Sequence, residues 1–239
     1  MSVISWYSIR MRRPPRRLLG ASLLGFLFAT TVAAQLGTHP VSGRRYAPVM
    51  GYQGVDWLER PERIEEEEPD LAISLLKIPP GASVADIGAG SGYMTSRMAQ
   101  RVGPTGRVYA NDLQPQMLEI LGRRLAQQRI PNVTLVQGTI DDPRLPPASV
   151  DLELLVDVYH EFSRPQAMLQ RLREALKPGG RLVLLEYRKE DPSIPIRPEH
   201  KMSVAEAKLE VEHEGFTLSS VDETLPRQHI LIFTVRAVH

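Results

Sequence analysis

Cysteine is absent from this chain of 239 residues. A chain without thiols forms no disulfides, ligates no zinc or iron–sulfur cluster through cysteine and has no cysteine nucleophile. Any catalysis must therefore use histidine, carboxylates, tyrosine or the positioning of reactants alone.

An excess of charge of either sign is also missing, since 29 lysines and arginines balance 28 aspartates and glutamates, a formal net charge of +1. This balance gives no global field to attract a phosphate backbone, so we do not expect a nucleic-acid partner. Hydrophobic residues make up 42% of the chain, enough for one good core, and we expect a single domain.

Acidic residues are missing from the start of the chain, where the first is Asp56. Five arginines precede an uncharged stretch over residues 18–34 that ends in small residues. This pattern is typical of a secretory signal peptide, with an uncleaved membrane anchor or an organelle-targeting segment as alternatives. We expect residues 1–34 to be this segment, with export or anchoring as the location, and residues 35–69 to be an N-terminal extension. The segment is the only part expected to meet a membrane.

From residue 70 to the C-terminus, strand-like apolar segments alternate with amphipathic helical ones. The sequence predicts strands at residues 83–87, 107–110, 133–136, 151–156 and 182–185, and a final hairpin at 216–221 and 230–235. The helix that begins at Pro165 is expected to turn Leu176 inward. Such alternation implies an α/β fold, a Rossmann-like doubly wound, mostly parallel seven-stranded sheet with a C-terminal antiparallel hairpin.

A glycine loop follows the first strand, in the run VADIGAGSGY over Val84–Tyr93. Glycines let the backbone turn sharply and let a ligand approach closely at the carboxyl edge of the sheet, although such a loop can also serve only to pack helix on strand. The spacing G-x-G-x-G differs from the dinucleotide pattern G-x-G-x-x-G. Asp86 lies in an apolar strand, where an unpaired carboxylate is costly to bury, so we expect a cationic or amide partner for it at the loop.

Asp112 ends the second predicted strand, about 20 residues after the loop, where an acidic side chain can accept hydrogen bonds from both ribose hydroxyls of a nucleoside. The alternative is a turn residue before the helix that begins near Pro115. Asn111 beside it leaves the register open by one position.

These motifs resemble those of the class I S-adenosylmethionine-dependent methyltransferases. VADIGAGSGY is similar to the first family motif, and VYANDL, QGTIDD, LLVDVYHEF and LKPGGRLVLLEY follow in the family's order. The resemblance runs from about residue 72 onward. It implies S-adenosyl-L-methionine as cofactor and transfer of its methyl group to an oxygen, nitrogen or carbon atom of a small molecule.

The resemblance also implies the cofactor-binding residues. They are Asp86, Gly88, Ala89, Gly90, Gly92, Tyr93, Asp112, Leu113, Met117, Thr139, Ile140, Asp141 and Asp157. The glycine loop would surround the methionine part of the cofactor and Asp112 the ribose, while Leu113 and Met117 would contact the adenine. The family often has an acidic residue where this chain has Thr139, so Asp141 is an alternative contact there.

The catalytic candidates follow the fourth strand. Methyl transfer needs proximity and alignment and, for a protonated nucleophile, a base. His160 is the first candidate base because imidazole titrates near neutral pH, with a purely structural role as the alternative. Glu161 and Tyr159 are candidates to orient the acceptor.

Three further patterns bear on metal binding, on substrate binding and on the surface. His160, Glu161 and His200 offer nitrogen and oxygen ligands, but no tight spacing connects them, so no metal is expected. Arg188 or Lys201 could hold an anionic group of a substrate. The acidic run at residues 65–68 is most simply a solvated face.

Two other functions compete with methyl transfer. A nicotinamide-dependent oxidoreductase shares the glycine loop and the acidic second strand, but the glycine spacing and Asp86 argue against it. A nonenzymatic relative that binds the cofactor is not excluded, because the cofactor motifs are more specific than the catalytic ones. The oligomeric state is left open.

Overall fold

A seven-stranded sheet runs through residues 37–236, the part of the chain that the computed structural model describes. Its strands are β1 (Ser83–Ile87), β2 (Arg107–Asp112), β3 (Val133–Gln137), β4 (Val150–Val156), β5 (Leu176–Tyr187), β6 (Phe216–Asp222) and β7 (Gln228–Val235). The strand order is β3-β2-β1-β4-β5-β7-β6. Strands β1 to β5 pair in parallel, and β7 lies antiparallel between β5 and β6. The predicted fold class is confirmed.

Residues 37–236 also form seven α-helices. They are α1 (Val55–Leu58), α2 (Arg63–Glu67), α3 (Pro69–Leu75), α4 (Tyr93–Val102), α5 (Pro115–Gln128), α6 (Pro165–Ala175) and α7 (Val204–His213). The core forms on both faces of the sheet, with α6 and α7 packed over the side chains of Ala85 and Ile87, and α3 and α4 over that of Val84. Alternate residues of β1 thus point to opposite faces, as the period of a strand requires.

Strand β5 starts earlier than the sequence predicts. Leu176 has extended backbone and pairs with Val150 of β4, so its placement in the preceding helix is wrong. Helix α6 ends at Ala175 because Pro178 lies just beyond it, and the residue before a proline is disfavoured in the helical region. Leu176 is buried all the same, which is why its hydrophobicity is compatible with either reading.

Residues 37–69, the described part of the extension expected at 35–69, form the N-terminal segment, which packs on the carboxyl edge of the sheet within the same compact unit. The Ala47 N–H donates to the carbonyl of His160 (3.0 Å), and the Tyr52 N–H donates to Oε1 of Gln114 (2.8 Å). Among the helices of residues 37–236, none combines the length and the hydrophobicity that a membrane span requires. The predicted signal peptide or anchor at residues 1–34 lies outside the described residues.

One acidic side chain lies unpaired in the centre of the sheet. Glu153 of β4 is fully buried between Ala85 of β1 and Leu182 of β5, and neither of its carboxylate oxygens has a hydrogen-bond partner within residues 37–236. Burial raises the pKa of Glu153 well above its ordinary value. Burial without a hydrogen-bond partner favours the neutral form of this carboxyl group, and each unpaired oxygen lowers the stability of the fold.

Replacing Glu153 with methionine, a side chain of similar length, should raise the free energy of unfolding. The gain should grow with pH. Because the pKa of Glu153 is higher in the folded than in the unfolded protein, the wild type loses stability as pH rises from the unfolded toward the folded pKa. The methionine variant has no such loss, since methionine does not titrate. The difference in free energy of unfolding between the variant and the wild type should change by at most about 1.4 kcal/mol per pH unit. Urea unfolding of both proteins at about pH 5 and about pH 7 measures it.

The matched control is Glu119→Met, whose side chain is 71% exposed in α5 and paired only with Arg123 on the surface. This variant should leave the pH dependence of stability unchanged. A Glu153→Met protein that is less stable than the wild type, or whose gain in stability does not change with pH, would contradict an unpaired, buried Glu153 with a raised pKa.

Candidate active site

A cavity of about 500 Å³ opens at the carboxyl edge of the sheet. Its walls come from the loops after β1, β2, β3 and β4, from residues 48–67, and from residues 195–200. Ten of the predicted site residues line it: Gly88, Gly90, Asp112, Leu113, Met117, Thr139, Ile140, Asp157, His160 and Glu161. The cavity thus lies where an open α/β sheet binds ligands.

The glycine loop needs glycine at positions 88, 90 and 92, because of the backbone conformation there and the space beside it. Gly88, Gly90 and Gly92 have φ of 71°, 53° and 84°, the left-handed region that glycine tolerates best. A Cβ at Gly88 would lie 2.6 Å from Val158, and one at Gly92 would lie 2.0 Å from Leu121. Gly88 and Gly90 therefore bring bare backbone to the cavity.

Three predicted cofactor-binding residues of this loop lie behind the cavity wall. Ala89 packs with α5 in a small apolar cluster, and Gly92 is the residue before α4. The guanidinium groups of Arg63 and Arg97 both lie over the ring of Tyr93, with their Cζ atoms 4.3 Å and 4.2 Å, respectively, from the ring centroid. These residues shape the loop and its packing rather than the cavity surface.

Asp86 is buried beneath the loop and does not line the cavity. Its Oδ2 accepts a hydrogen bond of 2.5 Å from the hydroxyl of Thr95, in the first turn of α4. The expected cationic or amide partner is wrong, because a hydroxyl takes that place. Burial raises the pKa of Asp86 to about 6, and the Thr95 hydroxyl only partly offsets the burial.

Asp112 ends β2 with its carboxylate held by the backbone on both sides. Oδ2 accepts the Gly90 N–H (2.9 Å) and Oδ1 accepts the Gln114 N–H (2.8 Å). Burial raises the pKa of Asp112 although both bonds favour the charged form. The Asn111 amide donates to the carbonyl of Pro143 (2.8 Å), so the register is resolved with Asp112 as the acidic group of this wall.

The wall beyond Asp112 is apolar. Leu113 and Ile140 are 39% and 44% exposed, and Met117 is buried beneath them in the lining. Thr139 donates its hydroxyl hydrogen to Asp141 (2.8 Å), and Asp141 pairs with Arg164 (3.1 Å) outside the cavity. The geometry therefore favours Thr139 over its alternative, Asp141, as a lining residue.

Asp157 follows β4 with a positive φ of 54°. Its Oδ2 accepts a hydrogen bond from the Gln228 amide (2.7 Å), whereas its buried Oδ1 has no partner within residues 37–236. Burial, and then the charges of Glu67 and Glu186, raise the pKa of Asp157 well above its ordinary value. An unpaired buried carboxylate oxygen at a cavity wall suits a cationic ligand group such as an ammonium.

His160 and Glu161 lie in a 3₁₀ turn, Tyr159–Glu161, which begins three residues after the last residue of β4. His160 is buried, with Nδ1 2.6 Å from Oε2 of Glu186 and Nε2 3.2 Å from Nδ1 of His200. Burial opposes a charge on the ring, but the carboxylate of Glu186 raises the pKa of His160. Burial raises the pKa of Glu161 to about 7. Burial and the nearby charge of His160 lower the pKa of His200 to about 4.

Tyr159 is not brought to the cavity. Its side chain is fully buried and packs edge-on against Phe162, with ring centroids 5.6 Å apart, and beside Arg44. Its predicted role in orienting an acceptor therefore lacks the required position. His160 and Glu161, its neighbours in the turn, do line the cavity.

A buried ionic network in the cavity wall is missing from the sequence prediction. Arg63 pairs with Glu67 (2.6 Å), whose other oxygen accepts the Tyr187 hydroxyl (2.7 Å) and a bond from Arg60 (2.9 Å). Glu67 is 3% exposed, so the prediction of a solvated face is wrong for this residue. The spacing of four residues between Arg63 and Glu67 is the signal that indicates this pairing.

The two cations predicted to hold an anionic group serve other contacts. Arg188 pairs with Glu223 (2.6 Å), and Lys201 donates to the carbonyls of Asp191 (3.0 Å) and Ile194 (2.7 Å). Neither lines the cavity, whereas the side chains of three other arginines do: Arg60, Arg63 and Arg197.

Part of the chain is similar to known methyltransferases. Residues 84–180 match the family model described as "Methyltransferase domain". Among curated proteins, the ubiquinone/menaquinone biosynthesis C-methyltransferase UbiE of Ectopseudomonas mendocina is 33% identical over 120 residues, 50% of this chain and 47% of that protein. The protein of the same name from Hahella chejuensis is 32% identical over 117 residues, 48% of this chain and 46% of that protein. The chain thus spans about half the length of the curated relatives it matches.

Solved structures show the same fold. A SAM dependent methyltransferase from Aquifex aeolicus superposes with a TM-score of 0.74 at 24% identity, covering 78% of this chain and 100% of that one. A methyltransferase from Listeria monocytogenes gives a TM-score of 0.55 at 16% identity, covering 71% and 99%. At these identities the likeness concerns the fold.

Proposed function

Because this chain carries a class I S-adenosylmethionine-dependent methyltransferase domain, we propose that it transfers the methyl group of S-adenosyl-L-methionine to a small-molecule acceptor. One observation carries the proposal: the carboxylate of Asp112, held by backbone N–H groups, stands between the glycine loop and an apolar wall in a single cavity. A carboxylate, bare backbone and an apolar wall are the groups that an adenosyl ligand needs.

Each part of the cofactor has a candidate partner in this cavity. Asp112 would accept the ribose hydroxyls, and Leu113 and Ile140 would contact the adenine. The backbone at Gly88 would pass close to the methionine part. The unpaired Oδ1 of Asp157 supports an ionic contact with the ammonium, because that contact would satisfy a buried oxygen.

The acceptor would occupy the rest of the cavity. Val49, Met50 and Trp57 line it from the N-terminal segment, and Phe162 and Ile196 line it from the opposite loops. These side chains favour an acceptor with an apolar or aromatic body. The two relatives named above are C-methyltransferases of quinone biosynthesis, which is compatible with an acceptor of this kind.

Bound S-adenosylmethionine supplies a methyl group activated by its sulfonium. The contribution of the chain is to hold the acceptor in line with that methyl group and to keep water out, since proximity and alignment provide much of the catalysis in such a displacement. The N-terminal segment serves both purposes, because Leu58 lies against Gly90 of the glycine loop and the Met50 N–H donates to Glu161 in the turn after β4. The roles of His160 and Glu161 toward the acceptor remain predictions.

Incubation of the full chain with S-adenosylmethionine labelled in its methyl group tests the proposal. The acceptor panel contains quinols, phenols, amines and thiols with apolar substituents, and Asp112→Ala is the inactive control. We expect label in at least one acceptor with the wild type and none with the variant. Tight binding of the cofactor with no transfer to any member would favour the nonenzymatic reading.

A further inference from the structure

We propose that His160, Glu161 and His200 form a binding site for a divalent transition-metal ion, for which Zn²⁺ fits the ligand set best. Their candidate ligand atoms all lie within 4.8 Å of one another at the wall of the cavity. Two imidazoles and one carboxylate are a common set of protein ligands for a zinc ion that keeps an open position. The existence of the site does not depend on methyl transfer.

The two histidines already stand at the separation that a shared ion requires. Nε2 of His160 and Nδ1 of His200 are 3.2 Å apart, and the ring planes are 80° to each other. Two nitrogens at about 2.0–2.1 Å from a tetrahedral zinc ion lie about 3.3 Å apart. An ion between them would therefore need little movement of either ring.

A carboxylate behind the first ligand fixes its orientation. Nδ1 of His160 lies 2.6 Å from Oε2 of Glu186, while Oε1 of Glu186 accepts the Tyr159 N–H (2.9 Å). In the tautomer that donates its Nδ1 proton to Glu186, the lone pair of Nε2 faces His200. Metal-ligating histidines typically donate their second N–H to a carboxylate or carbonyl in this way.

The third ligand comes from the same turn as the first. Glu161 is partly buried in the cavity wall, and its Oε1 accepts the Met50 N–H (3.2 Å), which leaves its second oxygen for an ion. Three protein ligands leave a fourth position of a tetrahedral ion open. That position would face the cavity, where an acceptor hydroxyl or thiol could bind, and this role alone rests on the proposed function.

Binding has one competing contact to displace. Arg197 lies 3.0 Å from Nε2 of His200, an arrangement in which Nδ1 carries the ring proton and donates to His160. An ion would take Nδ1 and move the proton to Nε2, so Arg197 would have to turn away. Its side chain is 69% exposed and paired with neighbouring Glu199, so this movement is sterically open. A hydrogen bond between the histidines with no ion is the alternative that an experiment must separate.

Calorimetric titration of the full chain with Zn²⁺ tests the site, after removal of metals by a chelator and without an affinity tag. We expect one ion per chain. His200→Ala and Glu161→Gln should each weaken binding at least about 10-fold. His200 is half-buried and Glu161→Gln is isosteric, so both variants should fold. His213→Ala, whose ring pairs with Glu214 away from the cavity, is the matched control and should bind as the wild type does.

Substitution with Co²⁺ gives a second measurement, since visible absorption bands reveal histidine and carboxylate ligation, and we expect them to be lost in His200→Ala. Absence of stoichiometric binding by the wild type, or unchanged affinity in both ligand variants, would overturn the proposal. A parallel titration with S-adenosylhomocysteine separates the two proposals. Binding of zinc without binding of S-adenosylhomocysteine would contradict only the proposed methyl transfer and would still support the metal site.

Discussion

Replacing Asp112 with alanine should weaken the binding of S-adenosylhomocysteine by at least about 100-fold. A hydrogen bond to a charged group contributes about 1.5–3 kcal/mol, and two ribose hydroxyls would donate to this carboxylate. A loss of about 3 kcal/mol corresponds to roughly two orders of magnitude in affinity. Because Asp112 also accepts the N–H groups of Gly90 and Gln114, its loss would loosen the glycine loop as well. Calorimetric titration of the full chain measures the change.

Two further variants separate ligand contact from loop order. Asp112→Asn keeps one oxygen for the Gly90 N–H and should give an intermediate affinity. Asp70→Ala removes a carboxylate that is 80% exposed and paired with Arg97 on the surface, and it should leave the affinity unchanged. An Asp112→Ala protein that melts like the wild type and binds within about threefold of it would remove the ribose assignment.

The second large effect concerns the attachment of the N-terminal segment. Arg44 donates to both carboxylate oxygens of Glu210 in α7, each at 3.0 Å, and to the carbonyl of His160 (3.0 Å). Both partners of the ion pair are almost fully buried, with side-chain exposures of 3% and 0%. Breaking a buried pair leaves an uncompensated charge, so Arg44→Ala should lower the free energy of unfolding by about 3–5 kcal/mol.

Urea unfolding measures this loss, and a double variant tests its cause. Arg44→Leu combined with Glu210→Leu should recover most of the stability, because no charge is then left buried. Arg171→Ala, which breaks an exposed pair with Glu174, should cost less than about 1 kcal/mol. An Arg44→Ala cost as small as that of Arg171→Ala would show that the segment is not held by this pair.

Local patterns explain what the sequence could predict. Strand β1 and the start of α5 match their predicted positions because an apolar run, a glycine loop and Pro115 act on neighbouring residues. Ser203 and Glu206, three residues apart in the sequence, form a capping box at the start of α7, with the Glu206 N–H donating to the Ser203 hydroxyl at 3.1 Å. The position of Asp112 follows likewise from the spacing after the loop.

Contacts between distant residues explain what was missed. The ion pair of Arg44 joins residues 166 positions apart, and the two histidines of the candidate metal site are 40 positions apart. No periodicity reports such distances, so their convergence cannot be seen before the chain is folded. The acidic run misleads for the same reason, since the hydroxyl of Tyr187, 120 positions from Glu67, joins the nearby Arg60 and Arg63 in pairing with this buried carboxylate.

The central claim is that the cavity binds an adenosyl cofactor, and calorimetric titration of the wild-type full chain with S-adenosylhomocysteine and with NAD tests it most directly. We expect one S-adenosylhomocysteine per chain with a micromolar dissociation constant and no heat from NAD. Binding of NAD alone would contradict the assignment and favour an oxidoreductase. Binding of neither would leave the cavity without its proposed ligand and contradict the account as well.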